Sequence, residues 1–302
     1  MSPKVAEWFS PFWLTTRGSA GAPPFLRAGR PPSLRCMTYY DNGADGSKAL
    51  GNAKDAVASK VDLLIEYNSD ARANVEIGRM LETARIPLLA VNYSVPGAPL
   101  YTADNIGAGR IAGQALGKFA KENWPDQTVV AAILGDVSDP SAAVTARIQG
   151  VTEGLRQELP DLSQVRFDSA GHSVRAGSAL SKFLAAQTRR KVLVATLDDA
   201  SALAAKSAVE AAGRISDCVI VSQGADRSIH GGASEKKEID PANRGSVVLG
   251  SVAYYFDRYG YEILPIALRM LRGEHVASQT STKHIMISAK NVFLEYPPND
   301  MN

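Results

Sequence analysis

The chain has 302 residues, 45% of them hydrophobic and 21% charged, with a formal net charge of +2. That length allows two lobes with separate cores, and the near-neutral charge argues against nucleic acid as the main partner, because phosphate binding needs concentrated Lys and Arg. No apolar run reaches the roughly 18 residues of a membrane span, and Cys36 and Cys218, far apart in sequence, are expected to be free thiols.

The N-terminus is unusual. Met1 to Lys4 leads into no apolar stretch of the signal-peptide kind. Between Glu7 and Asp41 there is no acidic residue, while Arg17, Arg27, Arg30 and Arg35 alternate with glycines and prolines. Pro23-Pro24 and Pro31-Pro32 forbid a continuous helix there. Such text reads as a linker or, preferably, as the product of a shifted reading frame, so residues 1–37 are a doubtful first strand–helix unit.

From there the elements alternate. Residues 37–40 are a predicted strand ending in the turn-rich Asp41-Asn-Gly-Ala-Asp-Gly46, followed by a helix over 47–58 with Leu50, Ala53 and Val57 on one face. Residues 61–66 (VDLLIE) read as a buried strand and 73–85 as a helix with Val75, Ile77, Leu81 and Ala84 as core candidates. Residues 86–91 form a strand buried on both faces, and Asn92 and Tyr93 stand at its end, where open α/β sheets bind ligands. A loop over 94–100 and a brief extended piece over 101–105 lead to a helix beginning Ile106-Gly-Ala-Gly-Arg-Ile-Ala-Gly113. Glycine and alanine at that spacing suit close helix packing or a ligand's approach to the helix start.

The second half continues the pattern. Strands are predicted at 128–134, 165–169, 191–196 and 218–222, with helices at 141–159, 176–187 and from Asp198-Asp199 to 212. Asp199 is the expected cap of that last helix. Residues 231–244 lack a period and read as an irregular loop; 247–253 is extended, 259–271 helical, and 284–287 extended again. Strands alternating with helices in this way mean parallel sheets with right-handed crossovers.

Taken as a set, these motifs carry a resemblance. The run IP-(hydrophobic)-N at 86–92, the DN-x-x-x-G-x-x-A-G run from Asp104, and the "NV…YP" ending at 291–297 are similar to the type I periplasmic sugar-binding proteins of ABC transporters. The same fold forms the effector domain of LacI-type repressors. The resemblance implies an α/β fold of two Rossmann-like lobes, each a parallel sheet flanked by helices, joined by a three-strand hinge. The lobes would comprise 1–103 plus 252–283 and 104–251 plus 284–302, with crossings near Ala103, Ser251 and Lys283. The implied function is capture of a monosaccharide between the lobes for delivery to ABC permease subunits. The protein would then act as a monomer, periplasmic or lipid-anchored, without membrane insertion and without a nucleic-acid partner. The alternative is a LacI-type sugar-sensing regulator lacking its DNA-binding part.

The resemblance also implies a set of ligand contacts. Phe12 and Trp13, in Ser10-Pro-Phe-Trp13, match an aromatic element that covers the sugar ring; Phe12 and Trp13 read equally well as ordinary core aromatics. Asn92 matches a position where relatives carry an aspartate, and Arg147, three residues before Gly150, matches an R-x-x-G arginine. Asp198 matches the sugar-contacting member of an ND or DD pair. Gln223, in Ser222-Gln-Gly-Ala-Asp226, departs from the relatives' V-G-Q-N-A-D: Ser222 stands in place of a glycine and Gly224 in place of a polar residue. Tyr254 falls where some relatives place a glutamine, and His172 near a cleft aromatic. Asn92, Arg147, Asp198 and His172 also have plainer readings, as loop, surface ion-pair, cap and loop residues respectively. Planar rings for sugar faces and amides, carboxylates and an arginine for hydroxyls suit a neutral sugar better than an amino acid.

Catalysis finds no motif. His172, His230, His275 and His284 show no metal spacing, and neither a G-x-S-x-G elbow nor a phosphate loop occurs. The glycines of 106–113 superficially match a dinucleotide fingerprint, but their spacing is wrong and they follow a loop. No cofactor and no enzymatic activity are therefore expected.

Overall fold

The computed structural model describes residues 37–231, 238–239 and 246–297, together with the backbone of Leu14–Thr16. The chain divides into two compact units, Met1–Ala103 with Phe256–Thr282 and Asp104–Tyr255 with Lys283–Asn302. The second crossing therefore lies four residues beyond the expected one. Val252 and Ala253 still pair with Gln223 and Gly224 in the second unit's sheet, which holds them there.

The first unit runs β1 (Leu14–Thr16), β2 (Met37–Thr38), α1 (Gly46–Ala58), β3 (Leu63–Glu66), α2 (Ala71–Ala84), β4 (Leu88–Val91) and β5 (Leu100–Ala103), then α8 (Tyr259–Leu271) and β11 (Gln279–Thr282). Its sheet has the order β11-β5-β4-β3-β1-β2. The expected parallel sheet is realised from β3 to β11, whereas β1 pairs antiparallel with both β2 and β3. Asp45 and Asp70 start α1 and α2 by accepting backbone N–H groups of the first turn.

Ala53, Ile77 and Leu81 are buried as expected, but other positions of the two stripes differ. Ala49, Ala53 and Ala56 form the fully buried stripe of α1, with Leu50 and Val57 at its margin. On α2 the buried residues are Ala73, Asn74, Ile77 and Leu81, while Val75 is exposed. Leu64 and Ala90 pack toward α1 and α2; Leu63, Ile65, Leu89 and Val91 pack toward Ile263, Ala267 and Leu271 of α8.

The second unit runs α3 (Asn105–Asn123), β6 (Val129–Gly135), α4 (Ala142–Glu158), β7 (Gln164–Asp168), α5 (Ser173–Ala186), β8 (Lys191–Thr196), α6 (Asp199–Ala211), β9 (Cys218–Gly224), α7 (Arg227–His230) and β10 (Val248–Ala253), then β12 (Met286–Ser288) and α9 (Val292–Glu295). The sheet order is β12-β10-β9-β8-β6-β7. Every pairing is parallel except that of β10 with β12. β12 comes back to the sheet after the excursion through the first unit, so no helical crossover dictates its direction. Cys218 is a buried free thiol, pushed up to about 11 by burial. Cys36 lies outside the described residues, as does most of the loop expected at 231–244.

Helices α3 and α4 approach so closely that their glycines are required. A Cβ on Gly109 would strike the carbonyl of Arg147, and one on Gly113 that of Val151. From the other side, Gly150 faces the carbonyl of Ile106 and Gly154 that of Arg110. Close packing, one of the two readings of the glycine-rich helix start, is realised in this way.

Candidate functional site

In both units the chemistry-bearing side chains gather at the C-terminal ends of the parallel strands. In the first unit β3 leads into Tyr67 and β4 into Asn92 and Tyr93. Asn92 adopts φ 61°, a left-handed conformation that asparagine tolerates better than most residues. Its side-chain oxygen accepts a hydrogen bond from the Tyr259 hydroxyl at 3.3 Å. The rings of Tyr67 and Tyr93 meet edge-on at 5.3 Å, and Tyr259 packs against Tyr101 at 5.0 Å and Phe256 at 5.2 Å. Burial pushes the Tyr67 hydroxyl well above its ordinary value, so it stays a neutral donor.

Below this aromatic edge three amides are buried and fully engaged. Asn42 donates to the carbonyl of Tyr67 at 3.3 Å and accepts from Asn52 at 2.8 Å. Asn74 accepts from Asn68 at 3.1 Å and donates to the carbonyl of Asn68 at 2.8 Å. Glu66, the last residue of β3, is the exception: it is completely buried, and among the described residues neither carboxyl oxygen has a hydrogen-bond partner.

In the second unit the close α3–α4 contact sets Arg147 beside the start of α3. Its Nε donates to Oδ1 of Asn105 at 2.9 Å and its Nη1 to the carbonyl of Leu197 at 3.1 Å. The guanidinium lies 4.6 Å from the centre of the Tyr254 ring, in cation–π geometry. The Tyr254 hydroxyl donates to Oε1 of Gln223 at 3.0 Å, and Gln223 Nε2 reaches the carbonyl of Thr196 at 3.4 Å. His284 packs its ring 4.7 Å from Tyr254, with Nδ1 at 2.8 Å from the carbonyl of Ala253, so that nitrogen carries the proton. Arg147, Gln223 and Tyr254 thus form one connected group, joined by Asn105 and His284.

The cap expected at Asp199 falls instead to Asp198, one residue earlier. Asp198 is the cap of α6: its oxygens accept from Ser201 N at 2.7 Å and Ser201 Oγ at 2.8 Å. Asp199 is buried and accepts from the hydroxyls of Ser222 and Ser251, the latter at 2.8 Å, and from the backbone N–H of Asp226 at 2.8 Å. Burial, reinforced by the nearby Asp226 charge, pushes the Asp199 carboxyl up to about 7. One side chain thereby ties β9, β10 and the start of α7 to α6, with Gln223 fixed between. The two departures at 222–224 now have a reason. Ser222 supplies a donor to Asp199, and Gly224, at φ 139°, leaves room for that carboxyl.

A sequence profile described as "Periplasmic binding protein domain" matches residues 33–275. The chain belongs to that family. Among solved structures it is similar to a glucose-galactose binding protein from Geobacillus stearothermophilus, at 20% identity and TM-score 0.61, covering 81% of this chain and 82% of that one. An ABC transporter solute-binding protein from Actinobacillus succinogenes, with bound D-allose, aligns at 15% identity and TM-score 0.64, covering 80% and 84%. A Bacillus halodurans solute-binding protein with bound myo-inositol aligns at 18% identity and TM-score 0.62, covering 85% and 84%. No curated protein matches the chain in sequence. These likenesses establish the fold, that of the type I periplasmic sugar-binding proteins.

Against that family's pattern, the expected contacts distribute unevenly. Asn92 stands at the strand edge of the first unit, and Arg147, Gln223 and Tyr254 form the connected group of the second. Asp198 is half-buried and occupied with capping, and His172 stands exposed ahead of α5 without a side-chain cap bond. Phe12 and Trp13 lie outside the described residues. The sequence reading passed over Glu66, Tyr67, Asn105, Tyr259 and His284. For Glu66 a signal existed: a carboxylate closing an otherwise apolar strand, LLIE. No helix among the described residues is long and apolar enough to cross a membrane.

Proposed function

We propose that the protein is a solute-binding component of an ABC transporter that captures a monosaccharide or a closely related polyol outside the cytoplasmic membrane and passes it to the permease. The observation that carries this reading is the Arg147 group. A guanidinium has five N–H donors; here Nε and Nη1 are bound within the protein, and the planar fork rests on an aromatic ring. What is left is a preorganised set of donors for ligand oxygens, with Gln223 and Tyr254 beside it to discriminate among hydroxyls. Asn92 and the tyrosines around it supply an amide and ring faces in the first unit, and Asp198, His172, Phe12 and Trp13 are further proposed contacts. Binding without chemical conversion is the proposed role.

A calorimetric panel of D-glucose, D-galactose, D-allose, D-arabinose, myo-inositol and several amino acids tests it. At least one sugar or polyol should bind, and Arg147→Ala should weaken that binding by about 2–4 kcal/mol through loss of charged hydrogen bonds. Amino-acid binding with no response to any sugar or polyol would overturn the reading.

A further inference from the structure

Among the described residues, Glu66 has no hydrogen-bond partner. It ends β3, beside Ala90 on β4, and one residue before Tyr67. Its exposure is 0%, yet both carboxyl oxygens lack a partner, while Asn42, Asn68 and Asn74 around the same strand end are all hydrogen-bonded. Those amides spend their donors on one another and on backbone carbonyls rather than on the acid. An unpaired carboxylate in a dry site is so costly that the group holds its proton instead. Burial alone accounts for this, raising Glu66 to about 9, with no charged neighbour contributing. The titratable groups on the packed elements are otherwise engaged: Asp45 and Asp70 cap helices, Lys48 pairs with Asp41, Glu262 accepts from Tyr101, and Tyr259 donates to Asn92.

A buried polar group without a partner calls for an explanation, and here the position supplies one. The acid lies at the C-terminal edge of a parallel sheet, one residue before Tyr67, whose ring meets that of Tyr93, itself 38% exposed. We propose that Glu66 is a ligand anchor whose carboxyl accepts two donors from a single ligand, adjacent hydroxyls or an ammonium, and releases its proton to solvent as the ligand binds. This rests on the solute-binding reading above. Two bare oxygens match two donors, and the ligand's N–H or O–H groups stabilise the carboxylate where the empty site does not. Uptake is then coupled to loss of up to one proton, and affinity rises with pH until the empty site itself ionises.

Calorimetry on the full chain at about pH 7, repeated in phosphate and in Tris, counts the protons released through the difference in buffer ionisation heat. D-glucose, D-galactose, D-allose, D-arabinose and myo-inositol serve as the hydroxyl arm and D-glucosamine as the ammonium arm. Release approaching one proton is expected for the probe that binds best, with none in Glu66→Gln and affinity lowered about tenfold or more. Binding without proton release in the unsubstituted protein, or release that persists in Glu66→Gln, overturns this inference and leaves the solute-binding reading standing. Should none of the probes bind, both fall together. The proton count on the unsubstituted protein needs no variant, so a poorly folding Glu66→Gln does not remove the test.

Discussion

Glu66 and Asp199 are both acids sunk into strand ends, and their surroundings treat them in opposite ways. Asp199 collects two serine hydroxyls and a backbone N–H, whereas Glu66 collects nothing. Because the folded-state value of Glu66 lies near 9, above its ordinary 4.5, its stabilising contribution is whole below about pH 4.5 and is lost as pH rises toward 9. Glu66→Gln, which keeps the shape and removes the charge, should therefore melt close to the unsubstituted protein at pH 5 and several degrees above it at pH 8. A difference that does not grow between those two values would mean the acid ionises freely. Asp199→Asn should behave otherwise, costing about 1–3 kcal/mol near neutral pH because an amide nitrogen would then face donors; urea unfolding measures it. These residues also mark where reading the sequence stopped. A helix cap was legible at 198–199, but that Asp198 supplies it while Asp199 turns inward depended on Ser222 and Ser251, far away in the chain.

At the scale of elements, the R-x-x-G spacing was readable in sequence and its reason was not. Gly150 lets α4 settle onto the backbone of α3 at Ile106, and this seats Arg147, one turn earlier, beside Asn105. Gly150→Ala must push the helices apart or distort them, an overpacking cost of about 2–3 kcal/mol. It should also weaken ligand binding, although the side chain touches no ligand group; thermal melting and calorimetry on the same sample check both. Normal melting with normal binding would mean the contact is looser than its geometry. Most strands and helices were legible because their apolar periods are strong, as in VVAAILG of β6 or the buried run of β8. β11 was not assigned as a strand, for the physical reason that Gln279-Thr-Ser-Thr282 has no apolar alternation. It is a strand because β5 lies alongside and pairs with it residue for residue.

For the molecule as a whole, the two units differ in what protects their backbones. The interior strands β6 and β9 of the second unit have seven residues each and β8 has six, while β3 and β4 have four each. Longer buried ladders open less often, so amides of Val192–Ala195 should exchange with solvent more slowly than those of Leu63–Ile65 and Leu88–Val91. Equal rates by mass-spectrometric hydrogen exchange would mean that the units open as one. A saturating ligand at a hundred times its Kd should add about 2.7 kcal/mol to whichever unit's opening abolishes binding. The interleaving of the chain also sets a timetable on the ribosome. Strands β1 to β5 of the first unit leave the exit tunnel early, but the helix that covers Leu63, Ile65, Leu89 and Val91 is encoded only after residue 255. With roughly 150 residues of the other unit translated in between, at about 5–20 residues per second, that apolar face waits on the order of ten seconds for its cover. Over that interval the nascent chain is a client for a holding chaperone, while the parallel core of residues 104–255 can close as soon as it emerges.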